Sequence, residues 1–385
     1  MAADIAIAGH LCLDIIPDLS HMPVLGKEEF FRPGAMLESG QLTFSTGGAV
    51  ANVGLALVRL GAEPMLIGKI GGDAVGRQIT EYLAAHGGDT SSLIVDPHAD
   101  SSYTVVISPP GLDRMFLHCP GANNAFGPAD IDYERVAGVR MFHFGYPPAM
   151  RHFHRENGRG LVEMYRTVRN HGVVTSLDLS LPDPSTPAGN IDWQAVLAGT
   201  LPHVDVFVPS FDELLYMLDR AAYDTMTSTG AGCTGAQLHD LAGRALAMGA
   251  AVVMVKLGAR GAYIRTANTE RLAPLLTRLK LDAVEWADRE LWHPAFRIDG
   301  PPQATGSGDA AIAGLLMAML QGCDPVAAVR AATATGACSV TAPDATSGLV
   351  PWTELQARLE SGWPTVPLEI EAEGWREEGG AWQKK

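Results

Sequence analysis

The chain has 385 residues, 47% of them apolar, and a formal net charge of −15. That is enough apolar material for one large α/β domain or two smaller ones, and the acidic balance excludes the concentrated basic face that a nucleic-acid or anionic-membrane partner needs. Five scattered cysteines (Cys12, Cys119, Cys233, Cys323 and Cys338) include no C-x-x-C pair, so neither a disulfide framework nor a zinc site is expected.

At the N-terminus Asp4 and Asp14 interrupt the apolar stretch and no basic segment precedes it, so no secretory signal is expected. Short runs rich in Val, Ile, Met and Phe predict strands at 4–9, 64–70, 139–144, 173–178, 204–208 and 252–256. Between them helical periodicity predicts helices at 50–61, 74–87, 158–171, 211–219, 235–249, 309–321 and 325–341. In the first of these, Val53, Ala56, Leu57 and Leu60 share one face. Such alternation implies a mainly parallel sheet with helices on both sides. The longest apolar run, near 310–320, is too short to span a bilayer, and a cytoplasmic protein is the expectation.

Two intervals break the pattern. Residues 15–45 lack a strong helical period, and 90–125 read as a hairpin in which Tyr103–Ser108 and Arg114–His118 flank Pro-Pro-Gly. Together they predict a small antiparallel sheet, either surface decoration or a lid that would shield a cleft from water. Residues 266–303, with Trp286, Trp292 and four prolines, read as an irregular stretch too long for an ordinary connection. A main domain of residues 1–361 and a polar, peripheral extension at 362–385 complete the expected organisation.

The most informative segment is Ala304-Thr305-Gly306-Ser307-Gly308-Asp309, a glycine-rich turn running into an apolar helix. Its backbone N–H groups and the positive end of the helix dipole suit an anion, whereas a fixed carboxylate beside a bound anion is repulsive. Both are useful together when Asp309 must take a proton from a nucleophile while Gly306, Ser307 and Gly308 steady a transferring phosphoryl group. The bland alternative is an ordinary helix start. A dinucleotide fingerprint is excluded, because Pro301-Pro302 stands where a strand should lead in and the downstream Asp324 precedes Pro325 in another helix start. His152-x-His154 indicates no third metal ligand.

In order along the chain, Gly9-His-Leu-Cys-Leu-Asp14, Gly47-Gly48-Ala-Val-Ala-Asn52, the Leu66–Gly76 segment, Ser210-x-x-Glu213, Lys256-x-Gly258-x-x-Gly261 and the loop ending at Asp309 resemble the PfkB/ribokinase family of ATP-dependent carbohydrate and nucleoside kinases. The resemblance covers roughly residues 4–360. It implies a ribokinase-like three-layer α/β sandwich, with a mainly parallel central sheet and a small antiparallel β lid. It also implies ATP and Mg²⁺, with Asp309 as general base and Gly306–Gly308 as anion hole. Asp14, Gly47, Gly48 and Asn52 would bind the acceptor, with Arg114 and Asn123 as lid contacts. Ser210, Glu213, Lys256, Gly258 and Gly261 would serve the nucleotide, Glu213 near Mg²⁺ through water. Read singly, Asp14 can be a strand-end residue, Asn52 a helix cap and Glu213 a first-turn acid; Asp73 is given only a turn-and-cap role.

Two departures from the family pattern stand out. Ser210 replaces a frequent Asn, and Gln303 replaces an Asp that helps hold a monovalent cation, which puts potassium activation in question. Ala49 stands where sugar-phosphate kinases often carry Lys, and the lid has few basic residues, chiefly Lys27, Arg32 and Arg114. An uncharged sugar or sugar acid is therefore the expected acceptor. A nucleoside stacked on Phe44, Phe116 or Tyr146 is one alternative, and a non-catalytic sugar or nucleotide sensor another. Exposed lid edges could pair in a homodimer.

Overall fold

The computed structural model describes residues 3–113, 115–230, 232–300, 302, 306–342, 344–368 and 374–384. Its strands are, in chain order, β1 (Ile5–Gly9), β2 (Cys12–Pro17), β3 (Leu42–Gly47), β4 (Met65–Ile67), β5 (Lys69–Gly71), β6 (Ile94–Asp96), β7 (Tyr103–Ile107) and β8 (Met115–Cys119). There follow β9 (Met141–Gly145), β10 (Val174–Leu177), β11 (Val206–Phe207), β12 (Val252–Lys256), β13 (Ala262–Thr266), β14 (Glu290–His293), β15 (Trp375–Glu378) and β16 (Ala381–Lys384).

A ten-stranded sheet runs in the order β15-β16-β14-β13-β12-β11-β10-β9-β1-β4. From β4 to β12 every pairing is parallel, and from β12 to β15 every pairing is antiparallel. Both faces of the parallel strands are covered, which is why Ile5–Gly9 and Met141–Gly145 are buried at every position. One face carries the helices Ala49–Leu60, Thr269–Leu279, Ser307–Leu320 and Pro325–Ser339. The other carries Arg151–Asn170, Trp193–Thr200, Phe211–Leu218 and Gly235–Ala247. The result is a three-layer α/β sandwich. No helix among the described residues is long and apolar enough to cross a membrane.

A second sheet, in the order β3-β2-β7-β8, stands off the main body. Its pairs are antiparallel except for β2 with β7. Its outer residues Leu42, Phe44, Phe116 and Leu117 are exposed by 41–60%.

Three expectations change. The predicted strand 64–70 is two short strands in different sheets, β4 and β5, separated by Gly68. Residues 266–293 of the stretch are regular: Leu272, Leu275, Leu276 and Leu279 form the buried stripe of a helix that tolerates Pro274, and β14 follows. The polar tail is not merely peripheral, since β15 and β16 extend the central sheet and Trp375 packs against Tyr263 and Trp292.

Candidate active site

Parallel strands align their carboxyl ends on one edge of a sheet, and the crevice outside that edge is where α/β folds collect functional groups. Here β1, β9, β10 and β12 end in or immediately before His10, Tyr146, Asp178 and Lys256. Ser210 follows β11 by a short loop and begins the helix Phe211–Leu218. The helix Ser307–Leu320, buried along nearly its whole length, meets this edge with its first turn. Its cap residue Gly306 is left-handed (φ 75°) and lends no side chain, so the first-turn N–H groups of Gly308 and Asp309 precede the helix ladder, which starts at Ala310.

Asp309 is 4% exposed. Its Oδ2 accepts from Asn52 Nδ2 at 2.9 Å and from the Tyr146 hydroxyl at 2.7 Å, whereas among the described residues Oδ1 takes only a longer contact from Tyr146 at 2.9 Å. Burial raises the Asp309 pKa, while Lys256, Asn52 and Tyr146 oppose that rise. Oδ1 is thus the oxygen best able to take a further proton.

Beside Asp309 lies a cleft of about 780 Å³ lined by Asp178, Glu213, Lys256, Gly258 and Gly306–Asp309. Lys256 Nζ donates to Asp178 Oδ1 at 2.5 Å, and Asp178 is 1% exposed. Burial alone would lower the Lys256 pKa, but Asp178, Glu213 and Asp309 hold it above its usual value. Burial drives Asp178 well up, with Lys256 pulling the other way. Ser210 and Glu213 form a reciprocal cap: Glu213 Oε2 accepts from Ser210 N at 2.7 Å, and Ser210 Oγ accepts from Glu213 N at 3.3 Å. That leaves Glu213 Oε1 for the cleft. Among the described residues no three His, Cys, Asp or Glu side chains converge on one metal position. Four carboxylates, Asp178, Asp212, Glu213 and Asp309, line the cleft.

On the lid side, Asp14 pairs across β2 with Ser45 and Thr104. Burial lifts its pKa to about 6, against the hydrogen bonds of Cys12 and Thr104. At Gly47 a Cβ would lie 2.6 Å from Asp14 Oδ2, so any larger residue would displace the Asp14 carboxylate. Gly48, at φ 87°, presses its backbone against His10. His10 is 5% exposed, neither ring nitrogen has a partner among the described residues, and its ring lies 5.2 Å from that of His118 on the lid. Burial, then His118, lowers its pKa to about 3.

Most of the expected residues converge on this edge, but two do not. Asn123, expected to touch substrate, spends its amide on the main chain of Leu11: Nδ2 donates to Leu11 O at 3.0 Å and Oδ1 accepts from Leu11 N at 3.2 Å. It fixes the segment that carries His10 and Asp14. Gly261, expected near the nucleotide, instead faces the His293 carbonyl of the neighbouring strand. Arg114 and Gln303 lie outside the described residues. Asp73 is a cap, accepting from Gly76 N and from Ser101 N and Oγ.

Asp178 and the contact of Tyr146 with Asp309 escaped sequence reasoning. A signal existed for the first: an acid directly after the apolar strand Val174–Leu177 sits at the carboxyl end of a parallel strand. The sequence offers Tyr146 only as a stacking candidate for a nucleoside, and nothing local marks its contact with Asp309.

With this geometry in hand, comparison with known proteins is informative. The pfkB family of carbohydrate kinases matches residues 10–353. Fructokinase-2 of rice (Oryza sativa subsp. japonica) is 24% identical over 218 residues, covering 56% of this chain and 60% of the rice protein. Aminoimidazole riboside kinase of Salmonella typhimurium is 27% identical over 311 residues, 79% of this chain and 84% of that protein. Arabidopsis thaliana ribokinase, solved with ribose and ATP, superposes with a TM-score of 0.71 at 18% identity, covering 94% of this chain and 99% of that one. Thermotoga maritima ribokinase superposes with a TM-score of 0.67 at 18% identity, over 93% and 99%. These structures share the fold. The chain belongs to the pfkB family of carbohydrate kinases.

Proposed function

We propose that the protein transfers the γ-phosphoryl group of ATP to a hydroxyl of a small carbohydrate, an uncharged sugar or a sugar acid. The observation that carries this reading is the place of Asp309. One buried carboxylate, held by Asn52 and Tyr146, lies at the first turn of a helix and lines a cleft that also contains Lys256.

The acceptor hydroxyl donates to Oδ1 of Asp309, with Asp14 accepting from a neighbouring hydroxyl. As the new O–P bond forms and the bond to the ADP oxygen breaks, the hydroxyl proton passes to Asp309. Lys256 and the Gly308 and Asp309 N–H groups face the charge that develops on the phosphoryl oxygens. Glu213 would hold magnesium through water, and the ion would neutralise phosphate charge. Phe211, Met226 and Leu257, among the residues lining the cleft, suit the base of the nucleotide. A second copy covering exposed Leu42, Phe44 and Leu117 on the lid would complete a homodimer.

A riboside acceptor is a second reading, favoured by the similarity to the Salmonella riboside kinase. The test is ADP release from Mg-ATP with pooled sugars, sugar acids and nucleosides, run beside Asp309→Asn. Acceptor-dependent ADP from the wild type, reduced by two to four orders of magnitude in the variant while ATP still binds, is expected. Equal rates in the two would overturn the role of Asp309. ATP binding with no acceptor-dependent ADP would favour a sensor.

A further inference from the structure

The phosphoryl transfer proposed above gives His10 no role, yet the fold fixes this residue through the same elements that hold Asp309. His10 follows the carboxyl end of β1. Its N donates to Gly145 O at 3.3 Å, and its O accepts from Val50 N at 3.1 Å. Gly145 directly precedes Tyr146, and Val50 lies in the first turn of the helix that carries Asn52. Asn123 locks the next residue, Leu11. Gly48 makes room for the ring, since a Cβ there would lie 2.5 Å from His10 Nδ1.

Among the described residues, His10 is the buried histidine with both ring nitrogens unpartnered; His143, by contrast, bonds Ser176 through Nδ1. Buried polar groups are costly to leave unpaired, so this one calls for a partner. The His10 ring centroid lies 6.1 Å from that of Tyr146 and 5.2 Å from that of His118. Tyr146 lines the nucleotide cleft, and His118 lines a second cleft of about 1500 Å³ beneath the lid strand β8. His118 Nδ1 is 3.0 Å from Thr104 Oγ1, and Thr104 also bonds Asp14. Asp309, Tyr146, His10, His118, Thr104 and Asp14 therefore form one arc. Its ends are the base and the carboxylate that accepts from a neighbouring hydroxyl. At a pKa of about 3 the His10 imidazole is neutral and presents one donor and one acceptor, the pair that a hydroxyl matches.

We infer that His10 binds the acceptor directly, taking a hydroxyl that is neither the reacting one nor the one bound by Asp14, with His118 meeting the same hydroxyl from the lid. The inference rests on the kinase reading above and adds a residue that sets its acceptor specificity. His10 belongs to the main body and His118 to β8, so this hydroxyl joins body to lid. The preferred acceptor then carries at least three hydroxyls along the arc.

The test takes the acceptor turned over fastest in the pooled assay, with each of its monodeoxy derivatives. Wild type is run beside His10→Phe, which keeps a ring without polar atoms, His10→Gln, which keeps a donor and an acceptor, and His118→Phe. In wild type, deleting the hydroxyl bound by His10 should cost at least about tenfold in kcat/KM. In His10→Phe the same deletion should cost less than about threefold, because the parent has already lost about tenfold, chiefly through KM. His10→Gln should regain part of that loss. The other derivatives should keep their wild-type ranking, which general damage to the fold would not single out. A wild type that tolerates every deletion, or a His10→Phe whose parent-to-derivative ratios all stay within about twofold of wild type, overturns the inference. If His10→Phe does not fold, His118→Phe decides, its side chain being exposed on the lid. The same ratio must then drop at least about threefold, and an unchanged ratio overturns the inference. If wild type turns over no acceptor, the kinase reading fails on its own, and calorimetric titration with neutral pentoses and hexoses decides the His10 site. It stands if saturable binding of one sugar weakens at least about tenfold in His10→Phe, and it falls if none binds or binding is unchanged.

Discussion

The Tyr146 hydroxyl lies 2.7 Å from Oδ2 and 2.9 Å from Oδ1 of Asp309, and the tyrosine that delivers it is itself left-handed at φ 66°. A bulky residue in that conformation is strained and persists only where its surroundings hold it. Here the strain follows directly on the end of β9 and turns the phenol onto the carboxylate.

Tyr146→Phe should therefore move the acid limb of the pH–rate profile upward. Burial raises the Asp309 pKa and the Tyr146 bond opposes that rise, so losing the bond raises it further. At a pH below the shifted limb less of the base is ionised, and kcat should fall by roughly tenfold, with a smaller loss at high pH. A pH profile of kcat for both proteins checks this; an unmoved acid limb would show that Tyr146 does not tune the base.

Lys256→Met should destabilise the fold by about 3–5 kcal/mol, because it strands Asp178, 1% exposed, without its cation. Lys256→Met/Asp178→Asn should regain most of that loss while remaining poor at binding ATP. Urea unfolding of the wild type, both single variants and the double variant measures the coupling directly. Strict additivity of the two single changes would mean the pair is not a unit.

The parallel core was legible because its code is local. Fully buried strands such as Ile5–Gly9 are continuous apolar runs, and the face of Val53, Ala56, Leu57 and Leu60 repeats at helical spacing. The expected helices are observed within a few residues of their bounds, the one expected at 158–171 being the part of Arg151–Asn170 that follows the kink at Arg155–Gly158, whereas Arg220–Thr229 and Trp352–Glu360 were not anticipated. The helix Thr269–Leu279 was obscured by Pro274, although its four buried leucines carried the signal. In the site, Asp309 and Asn52 were readable from glycine-rich neighbours, but their contact joins residues 257 positions apart. Asn123 shows the converse: a polar residue in a lid segment looks like a ligand contact until its partner, the main chain of Leu11, is seen.

Trp375→Ala should lower stability by about 3 kcal/mol with little change in kcat. Trp375 is 9% exposed, packs near Trp292 at 6.4 Å between ring centroids, and lies on the hairpin that extends the sheet edge, not on the cleft. Thermal unfolding beside steady-state kinetics checks both halves. Unchanged stability would return the tail to a peripheral role.

The pH response of Asp14 follows from its carboxyl being lifted to about 6 from 3.8 by burial. Because the folded pKa lies above the unfolded one, the folded chain keeps a proton that the unfolded chain has released, and stability falls as pH rises from about 4 to about 6. The size is on the order of 2 kcal/mol, discounted for the half-open side of the residue. Asp14→Asn removes this slope, so the wild-type-minus-variant difference in unfolding free energy should drop between pH 4 and pH 7. Acceptor binding should move the opposite way in the wild type. Hydroxyls donate to the ionised carboxylate, so KM for the acceptor falls as pH passes upward through about 6, and the variant loses that fall. Gly47→Ala gives an independent control, since its added carbon meets Asp14 Oδ2 at 2.6 Å and should raise the acceptor KM without altering the KM for ATP. A wild-type acceptor KM that is flat across this range would show that Asp14 binds the acceptor without ionising in it.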